Sequence, residues 1–309
     1  MSKPKVLVTR PDVPVQGIDL LKEKCEVEIY DQDKPIERDA LLKMIKGKDA
    51  LLCLLTDPID KEVIETAGPQ LKAIATMSVG YDHIDTKTCK EKNIPVSNTP
   101  DVSTDSVAEM TVTLLLAAGR RLIDAAKAIK NGEWVYAWSP LWLCGQGLTN
   151  ATVGIVGMGR IGQGVMKRIL PFGVSKVLYF DVFHPIKPAE DMGAQYVEFE
   201  ELVKQSDFIV AMCNLSEQTR NLFNKKAFDL MKPTAVFVNT SSFDTTRRQR
   251  RGLRSCSDGY TGCSEYSCRS GRQTHGLSSS SGINCSVMTF PNSKTVGPLS
   301  SVLSVGSYN

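Results

Sequence analysis

Gly157, Gly159 and Gly162 stand at the spacing of a G-x-G-x-x-G turn, and the chemistry open to such a turn is the holding of a diphosphate. The first glycine permits a tight turn, the second lets the main chain approach the anion, and the third lets helix and strand pack closely. Arg160 and Ile161 occupy the variable places of the turn. Alone the pattern is weak, since glycines recur at these intervals by chance. Its setting strengthens it: an apolar strand-like run over 153–156 precedes it and a helical stretch over 162–170 follows, so that a helix N-terminus faces the anion. Asp181 comes 19 residues after Gly162, at the end of the next apolar run. An acid there accepts hydrogen bonds from the adenosine ribose hydroxyls and repels the 2′-phosphate of NADP. The cofactor expected is therefore NAD, with NADP as the alternative if a cation offsets the carboxylate; Lys187 is near in sequence. The bland readings are a ligand-free strand-to-helix turn and, for Asp181, a solvated strand-end carboxylate.

The elements that must position these residues alternate short apolar strands with amphipathic helices, the pattern of parallel α/β layers. Strands are expected over 5–8, 25–30, 50–55 and 71–76, with helices around 15–24, 36–44 and 60–67. These make one small α/β domain, residues 1–102. After Thr99-Pro100, Ser103 or Thr104 caps a helix that keeps apolar residues at Val107, Met110, Leu114 and Ala118. A second domain, 103–241, then repeats the layers, with strands over 152–156, 177–180, 208–212 and 235–239 and helices over 162–170 and 200–205.

The pattern breaks at Ser241. Residues 1–241 carry 29 Lys and Arg against 31 Asp and Glu, whereas 242–309 carry 8 against 3, with 16 serines and 8 glycines. A segment so poor in apolar residues cannot offset the entropy of ordering it, and most of it is expected to be disordered. A basic nucleic-acid tail is the lesser alternative, because the arginines 247, 248, 250, 251 and 254 crowd into one block without interleaved aromatics. Cys256, Cys263, Cys268 and Cys285 match no zinc spacing, so no metal is expected. Cys25, Cys53, Cys89, Cys144 and Cys213 are scattered singly through apolar stretches, as small hydrophobes in a reducing compartment.

Four segments, Met77-Ser78-Val79-Gly80-Tyr81-Asp82-His83-Ile84-Asp85, the glycine turn, Ser206-Asp207-Phe208-Ile209-Val210, and Met231 through Ser241, stand in an order and spacing that resembles the D-2-hydroxyacid dehydrogenases. The segment from Trp138 to Gly145 is most similar to the branch of that family acting on glyoxylate and hydroxypyruvate. The resemblance covers about 240 residues. It implies a flavodoxin-like substrate domain, a Rossmann dinucleotide domain that is incomplete here, and a cleft between them, in a homodimer. It implies that the main chain at Val79 and Gly80 meets the carboxylate of a small 2-keto or 2-hydroxy acid and that Trp138 reaches toward the neighbouring subunit. It further implies that the glycine turn, Asp181, Asn214 and Thr240 line the cofactor. His83 reads more readily as a structural histidine than as a base, and Trp138 or Trp142 as core residues is the bland alternative.

The chemistry of that family needs an arginine that grips the carboxylate, a histidine that donates the proton and a glutamate that keeps the histidine charged. The arginine should follow Val238-Asn239-Thr240-Ser241, and Ser242 stands there. No Gly-Leu-Asp-Val or Pro-His-Ile-Gly phrase follows to supply the other two, and His275 has no apolar strand before it. No catalytic residue is therefore assigned. So abrupt a change has the form of a shifted reading frame or an alternative exon. Three functions stay open: a keto-acid reductase, a dinucleotide-binding pseudoenzyme, and a nonfunctional truncated product.

At 309 residues and a net charge of +3, nucleic acid is not an expected partner. No apolar stretch approaches a membrane span or a signal-peptide core, which makes the cytoplasm the expected location.

Overall fold

In the computed structural model, the described residues are 2–241 and, beyond them, the strands Ser264–Tyr266, Ser286–Thr289 and Ser301–Leu303. Contacts divide them between Ser103 and Thr104 into two compact units. The first unit runs β1 (Lys5–Val8), α1 (Val15–Lys24), β2 (Glu26–Ile29), α2 (Arg38–Met44), β3 (Ala50–Cys53), α3 (Lys61–Ala67), β4 (Ala73–Thr76), α4 (Thr86–Glu91) and β5 (Val96–Ser97). All its strand pairs are parallel, in the order β2-β1-β3-β4-β5, which is the flavodoxin-like order. Leu7, Leu51 and Ile74 from adjacent strands are buried together with Val63 and Ile64 of α3, so the sheet face is sealed by a helix whose N-cap, Asp60, accepts the Val63 amide. Asp85 caps α4 in the same way.

The second unit runs α5 (Thr104–Gly119), α6 (Leu122–Lys130), β6 (Thr152–Val156), α7 (Arg160–Ile169), β7 (Lys176–Phe180), α8 (Lys187–Glu190), β8 (Gln195–Tyr196), α9 (Phe199–Gln205), β9 (Phe208–Ala211), α10 (Lys225–Leu230) and β10 (Val236–Asn239). Strands β10-β9-β6-β7-β8 are parallel neighbours in that order. Counted from β6 this is 3-2-1-4-5, the dinucleotide-binding arrangement, with no sixth parallel strand among the described residues. Ser286–Thr289 pairs antiparallel with β10 instead. Expected disorder after Ser241 concerns residues that, those three short strands apart, lie outside the described ones. So do Ser242, His275, the block of arginines and the four tail cysteines.

Residues 153–156, 208–211 and 236–239 are buried on every position, as strands covered on both faces must be. Glycine is required within β6: a Cβ on Gly154 would lie 2.5 Å from Leu202 Cδ2 and closer still to Ser206 Oγ. Gly154→Ala is expected to lower unfolding stability by about 1–3 kcal/mol through overpacking, read as a lower urea midpoint with unchanged slope. An unmoved midpoint would mean α9 yields without cost.

Several expected boundaries shift. Helix α7 starts at Arg160, with Gly159 as its N-cap, two residues before the expected start at Gly162, because the turn needs only Gly157–Met158 before helical dihedrals resume. Strands β2, β3 and β4 are each shorter than their apolar runs, and α2 begins at Arg38. Among the described residues no helix is long and apolar enough to cross a membrane.

Candidate functional site

The phosphate turn is built from the carboxyl end of β6. Gly157 has φ +96°, and a Cβ there would lie 2.6 Å from the Cys213 amide nitrogen, so both backbone strain and the chain after β9 exclude a side chain. At Gly162 a Cβ would run into the Gly157 carbonyl and stand 3.3 Å from Ile155 Cγ2, which is helix-on-strand packing. Gly159 differs from both. Its φ is an ordinary −69°, and a Cβ there would meet nothing within 4 Å. The protein's own packing gives no reason for glycine at 159, whereas an anion seated against the main chain does. No side chain caps α7 and its first turn holds no acid, which suits an incoming phosphate. Arg160 is exposed and Ile161 partly buried at the same helix end.

Asp181 follows directly on β7. Its Oδ2 accepts the Met158 amide at 2.8 Å and its Oδ1 the Phe183 amide at 2.9 Å, so the partly exposed carboxylate is anchored to the main chain at both oxygens. Gly157 N–H donates to the Phe180 carbonyl at 2.8 Å, and the turn is thus tied twice to the end of β7. Lys187 is engaged by Asp191, the residue that ends its own helix. Thr240, just past β10, shares a 2.8 Å hydroxyl bond with Thr111 of α5 and reaches Met212 Sδ. Asn214 is exposed, its carbonyl accepting the Thr219 hydroxyl. Between them, Cys213 is buried, and that burial pushes its thiol up to about 12, which leaves it unreactive.

In the first unit, the loop after β4 holds Val79 and Gly80. Three successive carbonyls are tied back: Ser78 O accepts the Thr99 amide at 2.9 Å, Val79 O accepts Asn98 Nδ2 at 2.8 Å, and Gly80 O accepts Ser78 Oγ at 2.7 Å. Since each trans peptide directs N–H opposite its C=O, the amides of Val79, Gly80 and Tyr81 are turned away from these ties. None of the three has an acceptor among the described residues. Such amides suit an anion. The sequence assigns no role to Tyr81, Ser78 or Asn98: a main-chain amide leaves no residue signature, and the side-chain ties of Ser78 and Asn98 arise only in the folded loop.

His83 closes a chain of bonds behind that loop: its Nε2 lies 3.1 Å from Thr76 Oγ1, which is 2.7 Å from Ser78 Oγ. Burial holds its pKa below the usual value, and its Nδ1 is buried without a partner among the described residues. One ring nitrogen is thus engaged as in a structural histidine, and the other is not.

Trp138 is 78% exposed, which disfavours the alternative that it is a core residue. Trp142 is half-buried, edge-on to Trp134 at 5.1 Å. Cys53, Cys89 and Cys213 are buried as expected, Cys25 partly so, but Cys144 is exposed. Among the described residues no group of side chains could hold a metal ion.

A parallel sheet in the 3-2-1-4-5 order, with a glycine turn open at its second glycine and an acid at the end of the next strand, defines a nicotinamide-dinucleotide-binding α/β protein. The sequence pattern of the D-isomer specific 2-hydroxyacid dehydrogenase NAD-binding domain matches residues 112–245. Human glyoxylate reductase/hydroxypyruvate reductase is 47% identical over 246 residues, spanning 79% of this chain and 74% of that protein. Thermococcus litoralis glyoxylate reductase is 42% identical over 242 residues, spanning 77% and 72%. The structure of Aquifex aeolicus D-lactate dehydrogenase complexed with NAD and lactic acid superposes with a TM-score of 0.70 at 27% identity, covering 80% of this chain and 74% of that one. The chain belongs to the D-isomer specific 2-hydroxyacid dehydrogenase family.

Proposed function

We propose that the chain binds NAD(H) on the scaffold of a glyoxylate/hydroxypyruvate reductase, and that the sequence after Ser241 leaves hydride transfer strongly impaired. The observation that carries the cofactor reading is Gly159, whose Cβ position is open at the uncapped N-terminus of α7, so that an anion can reach the main chain there. The pyrophosphate meets the main chain of Gly157, Gly159, Arg160, Ile161 and Gly162; Asp181 accepts the adenosine ribose hydroxyls; Asn214 and Thr240 line the remainder. When bound, the cofactor supplies or takes up a hydride.

The chain's own residues bind and orient the acid. The outward amides of Val79 and Gly80 receive its carboxylate, and the ties from Asn98, Thr99 and Ser78 hold those amides in place without further reorganisation. Trp138 belongs to an exposed apolar arm with Val135, Tyr136 and Leu141. Such an arm supports a homodimer in which Trp138 meets the partner subunit. The free cysteines 25, 53, 89, 144 and 213 support a reducing cytoplasmic setting.

Impairment follows from the missing arginine grip and proton donor: Ser242 is short and uncharged where the family places an arginine. A second reading, an active reductase, is favoured by the 47% identity to the human enzyme. Titration of the purified chain with NADH and NADPH, followed by nucleotide fluorescence, tests the cofactor reading. NADH is expected to bind more tightly, because the Asp181 carboxylate repels an added phosphate. Equal affinities would remove that role from Asp181, and binding of neither would remove the proposal.

A further inference from the structure

We infer that the Asp181 carboxylate is the clasp that holds the phosphate turn in its working shape, so that affinity for any nicotinamide dinucleotide depends on it, and not only the choice between NAD and NADP. The inference rests on the reading of the glycine turn as a dinucleotide site.

Two consecutive amides of the turn are anchored to two consecutive residues at the end of β7. Gly157 N–H is held by the Phe180 carbonyl and Met158 N–H by Asp181 Oδ2, both at 2.8 Å. Only the second anchor is a side chain. Met158 sits between the two glycines that meet the phosphates, and its side chain is fully buried, so the amide plane it carries fixes the path of the chain into Gly159. The other oxygen, Oδ1, is fixed by the Phe183 amide, which leaves the carboxylate little freedom to swing toward a ligand. A carboxylate offers about four acceptor sites. Two are committed to main-chain donors, and the remainder serve the ribose hydroxyls without breaking the clasp.

Recognition of the ribose and shaping of the turn are therefore coupled through one group. An acid acting on the ribose alone predicts that its removal weakens NADH and relieves NADPH of repulsion. A clasp predicts that both weaken. Alanine removes both bonds. Asparagine is isosteric, and its carbonyl oxygen can accept only one of the two amides while its NH₂ opposes the other.

The experiment compares the full chain with Asp181→Ala and Asp181→Asn. Hydrogen exchange at the Met158 amide is measured without nucleotide, with the Ile209 amide of β9 as internal reference, and NADH and NADPH are titrated by fluorescence. The expected result for Asp181→Ala is exchange at Met158 about tenfold faster or more, Ile209 unchanged, and affinities for both nucleotides about 10- to 100-fold weaker, the range for one charge-assisted bond. Asp181→Asn should fall between. If Ile209 also accelerates in the alanine variant, the asparagine variant decides. Unchanged exchange at Met158, or NADPH binding that tightens while NADH weakens, overturns the clasp. Should the unmodified chain bind neither nucleotide, the dinucleotide reading fails while the exchange result still decides the clasp.

Discussion

Purified from a host lacking its own reductases, this chain is expected to oxidise NADH with glyoxylate or hydroxypyruvate at least about a thousandfold more slowly than the same chain carrying a family-type segment after Ser241. General acid catalysis contributes ~10²–10⁴-fold. A bidentate, charge-assisted grip on the carboxylate contributes roughly 1.5–3 kcal/mol more. Both act on one transition state, so the two losses need not multiply, but neither is replaced by Ser242, whose side chain is too short to span to a substrate and carries no charge. The assay reads keto-acid-dependent loss of NADH absorbance. Turnover of the unaltered chain within about tenfold of the repaired one would show that it recruits an acid and a cation from elsewhere.

The second large effect separates two glycines of one turn. Gly159→Ala is expected to weaken NADH binding about 10- to 100-fold, the range for losing one main-chain bond to a phosphate, while costing stability no more than about 1 kcal/mol as an N-cap change. Gly157→Ala should do the reverse in proportion. Its φ of +96° and its approach to the Cys213 main chain make it destabilising: a left-handed residue costs roughly 1–2 kcal/mol and overpacking roughly 1–3 kcal/mol more. Urea midpoints and fluorescence titrations on both variants separate these outcomes. A Gly159→Ala protein that binds NADH like the parent would mean the open space beside that residue is not where phosphate sits.

The glycine turn is legible from its own residues, whereas the loop at Val79 and Gly80 enters only through the family resemblance, and the difference has a physical reason. Strands β6, β9 and β10 are buried on both faces and so read as unbroken apolar runs, and a turn that needs glycine for steric reasons must show glycine. The loop at Val79–Tyr81 offers only main-chain amides, which every residue possesses. Ser78 and Asn98 gain meaning only when the chain folds back to bring Asn98 onto the Val79 carbonyl. Most elements not expected from the sequence are short or polar; α6, nine residues rich in apolar side chains, is the exception. Helix α4 has the sequence TKTCKE, and β5 and β8 are two residues each; none spans enough positions to show a period. Helix α10 is capped by Asn224, whose Oδ1 accepts the Ala227 amide, but its six residues are too few for a hydrophobic stripe. The placement of Trp138 was undecidable from composition, since an exposed aromatic and a buried one are the same letter.

The crossing of β9 back to the side of β6 also sets an order of events in time. Thr152 N–H is bonded to Asp207, and Met212 N–H to the Val156 carbonyl, so the floor under Gly157 is laid by chain made some fifty residues later. On a ribosome the first unit, complete by Ser103, has all its strands in hand while β6 still waits for its neighbour. Non-local pairing of this kind is slow to form. The glycine turn consequently acquires its geometry only once β9 has docked, and a dinucleotide cannot guide the early steps of folding. It can only secure the late ones, by drawing the nearly finished unit toward its closed form.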